Sequence, residues 1–210
     1  MCTHLYSGQQ ETRFPKTVNE VEEAKRKTMP VISVFGGSSP RQGSEPYQVA
    51  YEVGRLLAER GFAVATGGYS GTMTAVSQGA SQAGGYVIGV TSDQIEQFRP
   101  LGINQWVVEE IRYRTLQDRL IHLIRSNDGM IVLPGGIGTL SEMALAWSFL
   151  QVGEISPRPI SLLGKMWRHT IENFIDPLYV RPEHVRLLHF AETPLDAVKF
   201  VALFRDDVQT

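Results

Sequence analysis

A chain of 210 residues that is 42% hydrophobic and 20% charged can bury a full core in one domain, and a net charge of −2 without any basic block excludes a surface for long nucleic acid. The single cysteine, Cys2, excludes an intramolecular disulfide and a cysteine-based metal site, which fits a reducing cytoplasm. No apolar run approaches the ~20 residues of a membrane-spanning helix, and residues 1–29 scatter charges such as Glu11, Arg13, Glu22 and Lys25 where a signal peptide needs an apolar core, so a soluble protein with no membrane partner is expected.

Residues 1–29 read as a polar N-terminal extension, with a possible extra helix from Val18 to Lys27, and residues 30–210 as one domain. From Pro30 onward, short apolar runs alternate with longer amphipathic segments, the pattern of parallel strands buried under crossover helices. The predicted elements, in chain order, begin with a strand over Val31 to Phe35. A helix follows over Glu45 to Arg60, with Ala50, Val53, Leu56 and Leu57 at helical spacing and Gly61 as a left-handed stop. Next come a strand over Phe62 to Thr66 and a helix over Thr72 to Ala83 that buries Met73, Val76 and Ala80. Strands over Tyr86 to Val90 and Trp106 to Val108 precede a helix over Arg114 to Arg125, which buries Leu116, Leu120, Leu123 and Ile124. A strand over Met130 to Leu133 leads into a helix starting at Thr139 that carries Leu140, Met143, Ala144, Trp147 and Leu150. A strand over Ile160 to Leu163 and helices near Met166 to Tyr179 and Leu195 to Phe204 complete the chain. The fold class is therefore α/β, a doubly wound, mainly parallel sheet with helices on both faces, in which ligands bind at the carboxyl ends of the strands.

Three glycine-rich turns follow three of these strands: Gly36-Gly37-Ser38-Ser39, Gly67-Gly68-Tyr69-Ser70-Gly71, and Pro134-Gly135-Gly136-Ile137-Gly138-Thr139. A backbone without Cβ atoms can approach an anion closely, and the helix N-terminus that each turn delivers favours negative charge. Gly37, Ser38, Gly68, Gly135, Gly136, Gly138 and Thr139 are accordingly the candidate phosphate- or nucleotide-binding residues. Tight reversal of direction also calls for glycine, so each turn has a purely structural reading as well. No Gly-Lys-Ser or Gly-Lys-Thr follows, which disfavours magnesium-dependent triphosphate hydrolysis, and the first turn lacks the Gly-x-Gly-x-x-Gly of a dinucleotide site. Thr139 can cap the helix it opens or bond a phosphate, and Glu142 can close a capping box with it or face a bound sugar. Arg119 can hold phosphate or ribose oxygens in a fork, and by spacing alone Arg112, Arg114 and Arg125 compete with it. The five histidines show no metal-ligand spacing; His184 and His189 read as a surface loop or helix end, and Trp147 and Trp167 as core or subunit interface.

The run Pro134-Gly135-Gly136-Ile137-Gly138-Thr139-Leu140-Ser141-Glu142 matches without mismatch the pattern Pro-Gly-Gly-x-Gly-Thr-x-x-Glu of the lonely-guy (LOG) family, phosphoribohydrolases often mislabelled lysine decarboxylases, which the chain resembles from Val31 to Tyr179. The runs Val34 to Pro40 and Gly67 to Met73 are similar to that family's first two turns. The resemblance implies a Rossmann-like fold and cleavage of a nucleoside 5′-monophosphate to free base and ribose 5-phosphate. It further implies that Gly135, Gly136, Gly138 and Thr139 hold the phosphate, that Arg119 and Glu142 serve the N-glycosidic bond, and that the protein is a homodimer or higher homo-oligomer, with no metal and no cofactor. Ser141 and Leu120 stand where cytokinin-activating members carry a glutamate and a lysine, and Thr72 and Thr74 replace a leucine and a glycine, so the cytokinin preference does not come with the resemblance. The fold also resembles molybdenum cofactor carrier proteins, which gives the alternative of a binding protein without turnover. The lysine decarboxylase label is rejected, because no lysine sits on the predicted rim for a Schiff base.

Overall fold

The computed structural model describes residues 29–208 except residue 101, with side chains as far as residue 204. The N-terminal extension with its possible helix, and Cys2, lie outside the described residues apart from Met29. The strands are β1 (Val31–Phe35), β2 (Ala63–Thr66), β3 (Val87–Ser92), β4 (Glu109–Tyr113), β5 (Gly129–Val132), β6 (Ile160–Leu163) and β7 (Leu188–Ala191). The helices are α1 (Glu45–Glu59), α2 (Thr72–Gln82), α3 (Asp93–Phe98), α4 (Leu116–Arg125), α5 (Ile137–Val152), α6 (Lys165–Phe174), α7 (Pro182–Val185) and α8 (Pro194–Val208).

All seven strands join one parallel sheet in the order β4-β3-β2-β1-β5-β6-β7. The chain winds outward from β1 to one edge, returns beside β1 as β5, and winds outward again. The doubly wound architecture read from the sequence is present, and its topological switch point falls between β1 and β5.

Each face has its own core, because alternate side chains of a strand point to opposite sides. Ile32, Val34, Val64, Ile131 and Leu133 meet Val53, Leu57, Val76 and Val198 from α1, α2 and α8. Phe35, Val90, Met130, Val132 and Leu162 meet Leu123, Met143, Trp147, Trp167 and Ile171 from α4, α5 and α6. Both tryptophans are core residues with their indole N–H groups satisfied: Trp147 donates to His184 O at 2.8 Å and Trp167 to Leu133 O at 2.9 Å. The second bond props the residue immediately before Pro134.

Local signals explain most boundaries. Pro46 opens α1, Gly61 follows it at φ +78°, and Thr115 caps α4 by accepting from Asp118 N at 3.1 Å. The strand expected at Trp106 to Val108 is displaced to Glu109–Tyr113, and β7 was expected as loop. These are the two edge strands. An edge strand half in water reads as polar alternation, and the β4 sequence Glu-Glu-Ile-Arg-Tyr lacks the apolar run that marks a central strand. His189 consequently sits within β7 rather than in a loop or at a helix end, while His184 lies in α7. Leu116 and Ala144, expected inside, are exposed at the starts and outer faces of their helices, and Ala146 takes the buried place.

Candidate active site

The three glycine turns lie at the carboxyl ends of β1, β2 and β5, around the switch point. The first and third are bonded together: Gly37 N donates to Pro134 O at 3.1 Å. The Gly37 carbonyl accepts from Thr72 N at 2.9 Å and from the Thr72 hydroxyl at 3.0 Å, so it fastens the second turn as well. Gly68, at φ +77°, donates its N–H to the Thr66 hydroxyl at 3.1 Å and accepts from Asn104 N at 2.8 Å. The amides of Gly37 and Gly68 are thus spent on building the crevice wall instead of standing free for a phosphate. Ser38 stays at the rim, its hydroxyl accepting from Arg99 at 3.4 Å and its carbonyl from Ser70 at 3.2 Å.

The third turn is different. The helix α5 begins at Ile137 with Gly136 as N-cap, and its first backbone bond runs from Leu140 N to Gly136 O at 2.9 Å. Thr139 is therefore not the N-cap, as the sequence suggested, but the third residue of the first turn; two glycines give no side-chain signal of where a helix starts. The N–H groups of Ile137, Gly138 and Thr139 precede that first bond and have no intrahelical acceptor, the arrangement by which a helix end can meet an anion. A Cβ built on Gly136 or Gly138 meets nothing within 4 Å, so crowding at the Cβ position does not demand glycine at either place. Gly135 is required for another reason: a Cβ there would overlap the Thr139 hydroxyl, which is itself buried.

Glu142 lies in the second turn of α5 rather than the first, and its partner is not the backbone of a capping box but Arg119. The Arg119 Nη1 to Glu142 Oε1 distance is 3.4 Å, and the residues are only 5% and 8% exposed. The Arg119 Nε donates to Val90 O at 2.8 Å, anchoring the guanidinium to the end of β3. Of the four competing arginines the structure brings only this one to the crevice. Arg112 is held by Asp93 and Glu96, Arg125 pairs with Glu154, and Arg114 is exposed. Burial raises the Glu142 carboxyl to about 7, with Arg119 pulling in the other direction. Desolvation outweighs the attraction because the pair is buried and its contact is long. The result is an acid that changes charge near neutrality, beside an open helix N-terminus.

Several residues around the pair were not foreseen. Tyr69 is buried, its ring centroid 6.0 Å from the Arg119 guanidinium carbon, and its hydroxyl donates to Ser92 O at 3.2 Å while accepting from Ser92 N at 2.9 Å. Gly67 lies directly against Arg119. Asn104 donates from Nδ2 to the carbonyls of Gly68 and Tyr69 at 3.0 and 3.3 Å. A tyrosine inside a glycine turn was the one available signal. A separate cavity of about 470 Å³ under β7, lined by Ile175, Pro177, Val180, Val185 and Leu188, is almost wholly apolar and remote from these groups. Among the described residues, no cluster of three or more His, Cys, Asp or Glu could hold a metal.

A model of the SLOG cluster4 family matches residues 29–161. The chain is 29% identical over 196 residues to the probable cytokinin riboside 5′-monophosphate phosphoribohydrolase LOGL2 of Oryza sativa subsp. japonica, covering 90% of this chain and 79% of that protein. It is 30% identical over 178 residues to the cytokinin riboside 5′-monophosphate phosphoribohydrolase of Mycobacterium tuberculosis, covering 81% of this chain and 92% of that one. In three dimensions it is similar to the molybdenum cofactor binding protein of Rippkaea orientalis, with TM-score 0.65 and 25% identity over 86% of this chain and 98% of that structure.

Proposed function

The chain belongs to the SLOG cluster4 family and has lonely-guy phosphoribohydrolases among its relatives, and from that kinship we propose that it is a nucleoside 5′-monophosphate phosphoribohydrolase. One observation carries the reading: two helices bring a buried arginine and a buried carboxyl to 3.4 Å beside the N-terminus of α5 at the switch point. The amides of Ile137, Gly138 and Thr139 take the phosphate of the substrate, and Gly136 and Gly138 leave it room. The ribose then lies over Glu142. The C1′–N bond breaks with oxocarbenium character at C1′, the Glu142 carboxylate opposes that charge, and water adds its oxygen to C1′. One proton of the water ends on the base, which leaves free, with ribose 5-phosphate as the second product. Arg119 holds the carboxylate in place, and none of these steps uses a metal.

We read the protein further as a cytoplasmic homodimer built on one domain over residues 30–210. Support for assembly is the exposure of Ile137, Leu140 and Val152 along α5, and no helix among the described residues is long and apolar enough to cross a membrane. The alternative of a carrier that holds a phosphorylated ligand without turnover has the resemblance in three dimensions on its side. Against it stands a carboxyl placed to change charge near neutral pH, which simple retention does not call for.

The test is chromatography of AMP and other monophosphates after incubation with the protein. Free base should appear with the wild type and stay at background with Glu142→Ala. The carboxylate is the active form and its pKa is raised to about 7, so kcat should climb with pH through that value and level off above it. Release of base at the rate of the Glu142→Ala control would rule the enzyme reading out.

A further inference from the structure

The Arg119 guanidinium is enclosed on three sides. Its Nε is tied to Val90 O at 2.8 Å, its Nη1 faces Glu142, and its Nη2 is pressed against the bare Cα of Gly67. A Cβ on Gly67 would overlap Nη2, stand 3.3 Å from Cζ and 2.6 Å from the Met73 sulfur. A solvent-exposed arginine would swing away from such a group at little cost. Arg119 is buried and tethered by Nε, so moving its head group breaks the bond to β3. The Tyr69 ring, 6.0 Å from Cζ, forms the remaining wall. That ring cannot drift, because its hydroxyl is bonded to both the N–H and the carbonyl of Ser92, and its own carbonyl is held by Asn104.

We propose that Gly67 and Tyr69 are positioning residues that form a socket for Arg119 and thereby set the guanidinium against Glu142 for the N-glycosidic step; this rests on the hydrolase reading above. Neither touches the place of the reacting bond. Their effect passes through Arg119: a guanidinium pushed out of the socket no longer offsets the burial of the carboxyl, so the carboxylate becomes harder to form. Gly67 is therefore a glycine of the second turn whose purpose is room for a side chain, in contrast with Gly68 beside it, whose left-handed φ serves the backbone.

The experiment follows the Glu142 carboxyl by carbon NMR during a pH titration of the full chain, which needs no turnover, alongside pH–rate profiles with AMP. In Gly67→Ala the Glu142 midpoint should move up by about one pH unit or more, roughly a tenfold loss of acidity. The acid limb of kcat should move with it, while ribose 5-phosphate affinity stays within about threefold because the cradle on α5 is untouched. Tyr69→Leu should shift the midpoint the same way, and Tyr69→Phe, which keeps the ring, should shift it less than Tyr69→Leu. Should Gly67→Ala fail to fold, the two Tyr69 variants decide. An unmoved Glu142 midpoint in Gly67→Ala, or equal midpoints in Tyr69→Leu and wild type, overturns the socket. A wild type that shows the predicted titration shifts but releases no base overturns the hydrolase reading alone.

Discussion

Two sets of polar groups in this molecule invite opposite readings from those their residue types suggest. Under α8, the Ser161 hydroxyl bonds His189 Nδ1 at 3.0 Å and His189 Nε2 lies 3.9 Å from Asp196, the three residue types of a hydrolytic triad. At the switch point stands only an arginine against a glutamate. Yet Ser161 is fully buried in the middle of the sheet, where it pairs across β6 and β7 with His189, and the imidazole stacks on Phe200 with ring centroids 4.0 Å apart. No open space adjoins that hydroxyl, so nothing can be attacked by it. The Arg119–Glu142 pair lies beside a helix N-terminus whose first three amides have no intrahelical acceptor. Position along the strands, more than the identity of the side chains, separates a packed polar contact from a reaction site, because only the carboxyl ends of a parallel sheet offer loops that can part and helix dipoles aimed at a ligand.

The sharpest way to break this comparison is Glu142→Gln. It keeps shape and hydrogen bonding to Arg119 while removing the charge, so kcat for base release should fall about a thousandfold, with ribose 5-phosphate affinity nearly unchanged. A loss of less than tenfold in single-turnover kinetics would place the reacting carboxyl elsewhere. Next in size is Gly136→Asp. The residue sits at φ −95° and ψ −155°, ordinary extended backbone, with free space for a side chain, and aspartate is a better N-cap than glycine. Stability in thermal unfolding should therefore be unchanged or a few tenths of a kcal/mol higher, whereas KM for AMP should rise about a hundredfold because a carboxylate occupies the anion position. An unchanged KM would remove α5 as the phosphate cradle.

The smallest effect belongs to the other set. Burial lowers the His189 pKa below its usual value, so between that lowered value and about 6.5 the unfolded chain binds a proton that the folded chain does not. Stability thus rises with pH across that interval and is lost as pH falls. His189→Gln should flatten this slope in chemical denaturation at pH 5 to 7, cost about 1 kcal/mol at pH 7.5 through the lost packing and bond to Ser161, and leave kcat for AMP as in wild type. A drop in kcat beyond about twofold would mean the two sets communicate, contrary to the separation argued above.

Much of this was legible in the residues. The central strands were, because a strand covered on both faces must be apolar throughout, and so were α1 with its stop at Gly61, α2 and the body of α5. The edges β4 and β7 were not, since one side of an edge strand meets solvent and tolerates Glu109, Arg112 or His189. Within the site, the glycine turn of residues 134–139 and Glu142 stood out from spacing alone. Arg119 could be preferred over Arg112, Arg114 and Arg125 only through resemblance, because helical spacing does not say which face a flat, charge-rich segment buries. Thr139 was placed at the wrong helical position, since neither Gly135 nor Gly136 carries a side chain to announce the cap. Gly67 and Tyr69 were visible only as members of a glycine turn: their meaning lies in a contact with a helix some fifty residues away in the chain.

The alternation of the central strands with their helices, the parallel sheet and the location of the third glycine turn were fixed by local chemistry, in which apolar periodicity, glycine and proline act over a few neighbouring residues. Which amides remain free, which arginine meets Glu142, and how far burial raises that carboxyl were decided only when β3, α4 and α5 came together. Desolvation and ion pairing depend on distance in space, and a linear pattern carries no record of that distance until the chain is packed.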